Sequence, residues 1–477
     1  MKKELWRPFF HFAPEKGWMN DPNGLVWFKG SYHLFFQYNP YHCSWDSMHW
    51  GHAVSGDLLH WRQVDCALVP DEKYDKDPTG GCFSGSPVVW EDKLYLVYTA
   101  SAKKDGKTVQ TQCAAVSEDG YHFEKVKENP LVEEPFGNTE NFRDPKVIRA
   151  DGRWRMVCGG SSGDADDPAA DGRIYLYSSD DLLHWEYNGI LLESKGRWGS
   201  MFECPDLFSI GGKWILTASP MNHPDMWPTI CFEGRVDFEG CQFQVDKIRR
   251  YDWGNRFYAP QTYGLPDGRR VLLGWLNGWM WMPWMEAWGP TDQEDWRGCL
   301  SLPRELFLDE SGRLCQRPAK EAAALCEHTE ARGSILAGPI PQKLPAGNKN
   351  ACCIRLSIKR EGSRQLKLIL MADEQGNGTE LTFDLDGHFL AADKNRMGNK
   401  WDRGLTVCTF ERRERDTKHA PLTAEIWIDR STIEVFLDGG RYVLTDTAYP
   451  SDGQCNVYVQ SPYKQIPLDY EIGFIPQ

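Results

Sequence analysis

Three acidic residues in separate parts of the chain are its candidates for acid/base chemistry. Asp21 lies in "WMNDPNG", Asp144 in "NFRDPKV" and Glu203 in "MFECPDLF". Two carboxyl groups about 5–5.5 Å apart can hydrolyse a glycosidic bond with retention, one as nucleophile and the other as acid/base. A third carboxylate is then left to bind hydroxyl groups. Taken alone, Asp21 predicts only a surface turn, because Pro-Asn-Gly is favoured in turns.

A hairpin pattern that recurs five times predicts how these acids come together. Each copy has a short apolar run, a Gly or Asp turn and a second run rich in Val, Leu, Tyr and Trp. The turns stand 62, 60, 60 and 56 residues apart, at Gly30, Asp92, Gly152, Gly212 and Gly268. Evenly spaced units of this size are typical of a radial repeat, since the repeats of a β-solenoid are shorter. We therefore predict an all-β fold in which residues 1–318 form a five-bladed β-propeller.

The candidate residues recur in phase with the hairpins. Each precedes the second strand of its own blade by 10 to 12 residues, and the set is Asp21, Ser84, Asp144, Glu203 and Tyr258. If the first strand of each blade is the innermost, these side chains open onto one end of the central axis. The spacing therefore predicts one shared pocket, for which isolated surface turns would give no reason.

Beyond residue 318 the hairpin pattern stops. Over residues 319–346 we expect a linker with a short helix, because "AKEAAALCEHTEARG" favours a helix and three prolines follow it. Residues 347–477 contain short alternating runs such as "AEIWIDR" and "TIEVFLDGG", which predict a C-terminal β-sandwich. This domain has no catalytic constellation, so we expect it to serve in packing. The sequence leaves open whether the chain is a monomer or a homo-oligomer.

Composition limits the partners of the protein. The formal charge of −14 argues against nucleic acid and against anionic membrane surfaces. No stretch approaches the roughly 18 apolar residues of a membrane span, and the N-terminus does not resemble a secretory signal. The 15 cysteines have no CxxC pair and are typical of reduced thiols, which predicts a cytoplasmic location. The 21 tryptophans favour a small carbohydrate ligand, because indole rings stack on sugar C–H faces.

Neither a metal nor a cofactor is expected. The nearest candidate for a metal site is "HWGH", but His49 and His52 would point to opposite faces of a strand. The chain has no Gly-rich phosphate loop and no serine nucleophile elbow.

The motifs "WMNDPNG", "FRDP" and "ECPD", in this order on a five-blade pattern, resemble those of glycoside hydrolase family 32. This is the invertase, β-fructofuranosidase and sucrose-6-phosphate hydrolase group. The resemblance covers nearly the whole chain and also includes "FSGS", "FYAPQ" and "SLPREL". It implies that Asp21 is the nucleophile, Glu203 the general acid/base and Asp144 the transition-state stabiliser. Arg143, beside Asp144, is expected to hold that carboxylate ionised.

The resemblance also implies a set of substrate-binding residues around the fructose unit. These are Asn20, Gln37, Trp45, Phe83, Ser84, Arg143, Tyr258 and Trp279. Trp275, in the same "GWLNGW" stretch, is the alternative to Trp279.

The leading hypothesis is a retaining hydrolase that releases terminal β-D-fructofuranosyl residues from sucrose and short fructo-oligosaccharides through a covalent fructosyl-enzyme intermediate. The alternative is a sucrose-6-phosphate hydrolase, whose phosphate would favour Arg or Lys. Arg256 is a candidate for that role, whereas the acidic residues between Glu286 and Asp295 favour a neutral sugar. An arabinanase-like hydrolase and a non-catalytic fructan-binding propeller are more distant alternatives. Chain-length preference, linkage preference and fructosyl transfer stay open.

Overall fold

A computed structural model describes residues 4–138, 140–279, 282, 289–326, 329–346, 351–359, 365–397, 403–410, 421–450 and 456–475. Nearly all regular structure in these ranges is β-strand. The described helices are the α-helix Lys320–Leu325 and the 3₁₀ helix Pro290–Glu294. The prediction of an all-β fold is confirmed.

Residues 17–318 form five sheets that follow one another along the chain, each with a core of four antiparallel strands. The strands of sheet 1 are Gly17–Phe28, Ser31–Asn39, His49–Ser55 and Arg62–Leu68. Those of sheet 2 are Gly81–Trp90, Lys93–Lys104, Lys107–Ser117 and Glu124–Lys125. Those of sheet 3 are Phe142–Ala150, Arg153–Ser161, Gly172–Ser179 and Glu186–Glu193. Those of sheet 4 are Met201–Ile210, Lys213–Met221, Ile230–Asp237 and Gln242–Arg250, and those of sheet 5 are Tyr258–Gly264, Arg270–Leu276, Arg304–Leu308 and Leu314–Pro318.

The first strands of the five sheets contact one another in a closed ring, with the first strand of sheet 5 against that of sheet 1. Two short strands strengthen the closure. Trp296–Arg297 pairs in parallel with the start of sheet 1, and Cys299–Leu300 pairs with the second strand of sheet 5. The chain therefore returns to its own first strand before it leaves the ring.

The C-terminal residues form two six-stranded antiparallel sheets. In spatial order, the strands of the first are Thr329–Ala337, Ile466–Phe474, Ala351–Ile358, Leu422–Asp429, Thr432–Leu437 and Tyr442–Thr447. Those of the second are Gln342–Lys343, Asn456–Gln460, Gln365–Ala372, Thr379–Asp384, Phe389–Asp393 and Leu405–Thr409. Alternate residues of both sheets, among them Leu366, Leu368, Ile426 and Ile428, meet in one buried apolar core.

The segment expected to be a linker differs from that expectation. Residues 319–346 contain the short helix, but also the strands Thr329–Ala337 and Gln342–Lys343, which pair with the two C-terminal sheets. Both strands lie at sheet edges, where one side faces solvent. Their many polar residues therefore do not give the apolar alternation that marks an inner strand.

A buried ionic cluster joins the N-terminal segment, the ring and the first C-terminal sheet. His11 contacts Asp429 through Nδ1 and Glu434 through Nε2, both at 2.9 Å. Arg304, which is fully buried, donates to Glu434 and to Asp252 at 2.7 Å. Charges without water are stabilised only by partners of this kind, so the cluster fixes how the two parts of the chain meet.

His11 is expected to make the folded protein less stable at alkaline pH. Burial alone would lower its pKa, but the hydrogen bonds and charges of Asp429 and Glu434 raise it from 6.5 to about 9. The folded state thus holds a proton that the unfolded state loses above pH 6.5. This difference adds roughly 3 kcal/mol to the free energy of unfolding. The added stability is complete below pH 6.5 and is lost as pH rises through about 9. Thermal unfolding from pH 6 to 10 checks this. His11→Asn should be less stable at pH 6 and should lack the alkaline loss; an equal loss in both proteins would contradict the assignment.

Candidate active site

Every first strand of the ring contains a β-bulge at the same place. The pairing register shifts at Asn20–Asp21, at Ser84, at Asp144–Pro145, after Glu203 and after Tyr258. In four of the five sheets a proline lies in or beside the bulge, where it removes a ladder donor.

The bulges also hold backbone angles that extended strands do not adopt. The φ angles of Asp144, Cys204 and Ala259 are 67°, 46° and 50°. A bulge re-aims the side chains beside it, and among the residues at these bulges Asp21, Ser84, Asp144 and Glu203 line one cavity.

The bulge residues open onto a cavity of about 290 Å³. Ten of the eleven predicted site residues line it, namely Asn20, Asp21, Gln37, Trp45, Phe83, Ser84, Arg143, Asp144, Glu203 and Trp279. The eleventh, Tyr258, lies beside it and donates a hydrogen bond to Oε2 of Glu203 at 2.5 Å. The structure therefore brings all the predicted residues together.

Asp21 is buried, and its Oδ2 accepts a hydrogen bond of 2.7 Å from Ser84. Its Oδ1 has no hydrogen-bond partner among the described residues. Burial raises the pKa of Asp21 and the negative charge of Glu203 adds to that rise, while the Ser84 hydrogen bond opposes it. One oxygen is thus held in place, and the other is left for a ligand.

Asp144 lies close to Asp21, and the thiol of Cys204 contacts both carboxyl groups. Sγ of Cys204 is 3.4 Å from Oδ2 of Asp21 and 3.5 Å from Oδ2 of Asp144, and the Cys204 amide donates to Asp144 at 2.8 Å. Burial raises the pKa of Asp144 to about 7, with the Arg143 charge opposing this and the other two acids adding to it. The Arg143 charge lowers the pKa of Asp144, in the expected direction, but burial outweighs it.

The shortest hydrogen bonds of Arg143 go to Glu203. Its Nε and Nη2 donate to Oε1 of Glu203 at 3.0 and 2.8 Å, while Tyr258 holds the other oxygen. Glu203 is therefore fixed in orientation by two partners from neighbouring sheets.

A second cavity, of about 230 Å³, adjoins the first and shares Arg143, Glu203 and Trp279 with it. Glu203 thus stands where the two cavities meet, so a group bound in the first and a group bound in the second would be joined beside its carboxyl. Trp279 lines both cavities, whereas the alternative, Trp275, is fully buried and lines neither.

Sequence reasoning missed polar residues from sheet 2 and the loop before it. Thr79, Ser101, Thr108 and Gln110 also line the first cavity. Gln110 accepts hydrogen bonds from the Phe142 amide and from Arg143, so it helps to place that guanidinium. A signal was present in "TVQTQCAAV", where two glutamines alternate in a strand that is otherwise largely buried.

Other candidate residues have structural partners. Arg256 is buried and faces Asp446 of the C-terminal sheet at 3.8 Å. Glu294 accepts the amides of Leu5, Trp6 and Arg7, and of the other acids in that stretch Glu286 lies outside the described residues. In "HWGH", His49 contacts the Ser47 carbonyl and His52 contacts His33.

No group of three His, Cys, Asp or Glu among the described residues could hold a metal ion. No helix in the described part of the chain combines the length and apolar character needed to span a bilayer.

Comparison with known proteins places this site in a family. Residues 11–318 match the glycosyl hydrolases family 32 N-terminal domain, and residues 322–466 match the family 32 C-terminal domain. The chain is 35% identical over 467 residues to a sucrose-6-phosphate hydrolase of Escherichia coli, covering 93% of this chain and 89% of that one. It is 36% identical over 465 residues to a raffinose invertase of Escherichia coli, covering 93% and 90%.

A solved structure has a similar fold. The GH32 beta-fructofuranosidase of Bombyx mori superposes with a TM-score of 0.82 at 29% identity, covering 100% of this chain and 95% of that one. Three acids that line one cavity, with a second cavity beside one of them, fit a glycoside hydrolase. The chain belongs to glycosyl hydrolases family 32.

Proposed function

We propose that this fructosyl hydrolase removes terminal β-D-fructofuranosyl residues with retention of configuration. Asp21 is the nucleophile, Glu203 the general acid/base and Asp144 the residue that binds hydroxyls in the transition state. The observation that carries the proposal is the position of the acids: Asp21 and Asp144 lie in the first cavity, and Glu203 lies where it meets the second. A fructosyl unit in the first cavity would present its anomeric carbon to Asp21 and its leaving oxygen to Glu203.

The reaction then has two balanced steps. Oδ1 of Asp21, which lacks a protein partner among the described residues, attacks the anomeric carbon while Glu203 gives its proton to the leaving oxygen. In the second step Glu203 takes a proton from water, which attacks the same carbon and releases Asp21. The buried carboxylates stabilise the positive charge that develops on the sugar ring in the transition state of each step.

Sucrose and short fructo-oligosaccharides are the proposed substrates, and sucrose 6-phosphate is the second candidate. The relatives named sucrose-6-phosphate hydrolase and raffinose invertase have nearly equal identity to this chain, so identity does not separate the two. The family assignment speaks against an arabinanase-like enzyme, and the presence of all three acids speaks against a non-catalytic fructan-binding propeller.

The test is hydrolysis of sucrose followed by NMR during the first turnovers. Fructose should appear first as the β-furanose anomer and only later as the equilibrium mixture. Initial release of the α-anomer would exclude a retaining mechanism, and no release from sucrose, sucrose 6-phosphate, inulin or levan would exclude the function.

We further propose that the ring of five sheets is a five-bladed β-propeller that forms the catalytic domain, followed by a β-sandwich domain. Two observations support this: the first strands form a closed ring, and the five four-stranded sheets follow one another along the chain. We place the domain boundary after Pro318, where the last strand of sheet 5 ends and a short helix follows. The cytoplasmic location stays a prediction, and the choice between a monomer and a homo-oligomer stays open.

Ser84 gives a pH prediction for the proposed nucleophile. Activity needs ionised Asp21, whose pKa is raised by burial, so activity should fall as pH falls through a range above that of ordinary aspartate. Ser84→Ala removes a hydrogen bond that favours the ionised form, and the acid limb of kcat/KM should move to higher pH. Ser86→Ala is the matched control, because Ser86 bonds to the Pro145 carbonyl and to neither acid. An unchanged acid limb in Ser84→Ala would contradict the role of Asp21.

A further inference from the structure

The second cavity holds a set of residues that the proposed mechanism does not use. Beyond Glu203 it is walled by Pro220, Met221, Met226 and Trp227, which are apolar, and by Asp166, Asn222 and His223, which are polar. Because it starts at the proposed acid/base, this cavity is where a leaving group would lie. Its chemistry should therefore decide which leaving groups the enzyme accepts.

Two polar residues of this cavity have hydrogen-bonding capacity suited to neutral hydroxyls. His223 stacks on Trp227 at 4.8 Å, and its Nδ1 accepts the Asp225 amide, which leaves Nε2 as the ring's donor. Burial lowers the pKa of His223, which favours the neutral imidazole. Asn222 uses its amide nitrogen on the Ala165 carbonyl and on Ser200, which leaves its oxygen to accept.

The same contacts fix the loop that carries Asp166. Ser200 Oγ also donates to the Ala165 carbonyl, at 2.5 Å, and the Asp166 amide donates to Asp164 at 3.0 Å. The peptide group just before the Asp166 side chain is thus held in place. Asp166 brings a carboxylate to the rim of the cavity.

Positive charge is scarce around this cavity. Arg143 is the one Lys or Arg among its described lining residues, and its guanidinium is engaged by Glu203. Arg250 packs on Trp227 but lines a different cavity.

We infer that the second cavity selects a neutral sugar as leaving group and that Asp166 disfavours a phosphorylated one. This inference rests on the proposed function and decides between its two substrate candidates. A phosphate needs Arg or Lys in matching geometry, and here it would meet a carboxylate. A neutral sugar ring would instead lie against Trp227 and Met226, with its hydroxyls bonded to Asn222, His223 and Asp166.

The experiment compares kcat/KM for sucrose, raffinose and sucrose 6-phosphate. Raffinose carries a neutral substituent on the same glucose oxygen that bears the phosphate, so it separates size from charge. The kcat/KM for sucrose 6-phosphate should be at least about tenfold lower than that for sucrose, and the value for raffinose should lie nearer to that for sucrose. Added salt should reduce the difference between sucrose and sucrose 6-phosphate.

Two variants with the same charge change test the residue. In Asp166→Asn the ratio of sucrose 6-phosphate to sucrose kcat/KM should rise about fivefold, from the loss of one like charge. Asp167→Asn, in the same loop but not lining the cavity, should move that ratio less than about twofold, since a solvent-exposed charge acts only at short range and Asp167 does not face the bound group.

Two results would overturn the inference. One is a wild-type enzyme that hydrolyses sucrose 6-phosphate as well as sucrose or better, and the other is an equal change of the ratio in both variants. Failure to release fructose from any of the three sugars is a different outcome, since it would contradict the proposed function itself.

Discussion

Replacing Asp21 with asparagine is expected to lower kcat/KM for sucrose by roughly 10⁵-fold, because an amide cannot form the fructosyl ester on which both steps depend. Asparagine keeps the size of the side chain and can still accept the hydrogen bond from Ser84. Folding should therefore be preserved, and the thermal midpoint should stay near that of the wild type. Fructose release, followed over several hours at a high enzyme concentration, measures the residual activity.

The control separates loss of the nucleophile from a general loss of negative charge. Asp119→Asn changes an exposed acid of sheet 2 outside both cavities and should leave kcat/KM within about twofold. Glu203→Ala should lose about 10³-fold and still form a fructosyl adduct on Asp21, which intact mass spectrometry after acid quench would detect. An adduct in Asp21→Asn, or near-normal turnover, would show that another residue is the nucleophile.

Replacing Arg304 with methionine is expected to destabilise the protein by about 3–5 kcal/mol, because Asp252 and Glu434 would keep buried charges without their shared partner. Arg304 has no exposed surface, and its guanidinium also lies over Phe257 at 4.3 Å. Methionine fills much of the volume, so the loss should come from charge more than from packing. Urea unfolding followed by tryptophan fluorescence measures the change.

Arg153→Met is the comparison for this experiment. Arg153 also bonds two acids, Asp180 and Glu186, but all three lie at the surface. Exposed ion pairs contribute little, so the urea midpoint should stay unchanged within error. If the two variants behaved alike, burial would not be the reason for the stability of the Arg304 cluster.

The sequence predicted which residues meet at the site, because two independent signals agreed. The hairpin repeat placed Asp21, Asp144 and Glu203 in phase, and their motifs matched one family. The spacing of the hairpins predicts where along its strand each residue lies. In a ring of sheets, equivalent positions of the five first strands face the same central axis. This is why residues far apart in the chain could be assigned to one cavity.

Side-chain partners inside the cavity could not be predicted in the same way. Arg143 precedes Asp144 in the chain but bonds to Glu203, because the bulge at Asp144, with φ at 67°, turns neighbouring side chains apart. His11 gave no signal either, since its partners lie more than 400 residues later in the chain. Contacts of this kind depend on how separate sheets pack, which local sequence does not encode.

The parallel pairing of Trp296–Arg297 with Gly17 and Trp18 has a consequence for how the enzyme is made. The strand that carries Asp21 lacks its parallel neighbour until the ribosome has produced nearly 300 residues. A growing chain, or one cut short before that point, therefore holds the acids without the geometry that makes them reactive. We therefore expect hydrolytic activity to arise only late in synthesis, once Trp296–Arg297 has paired with Gly17 and Trp18.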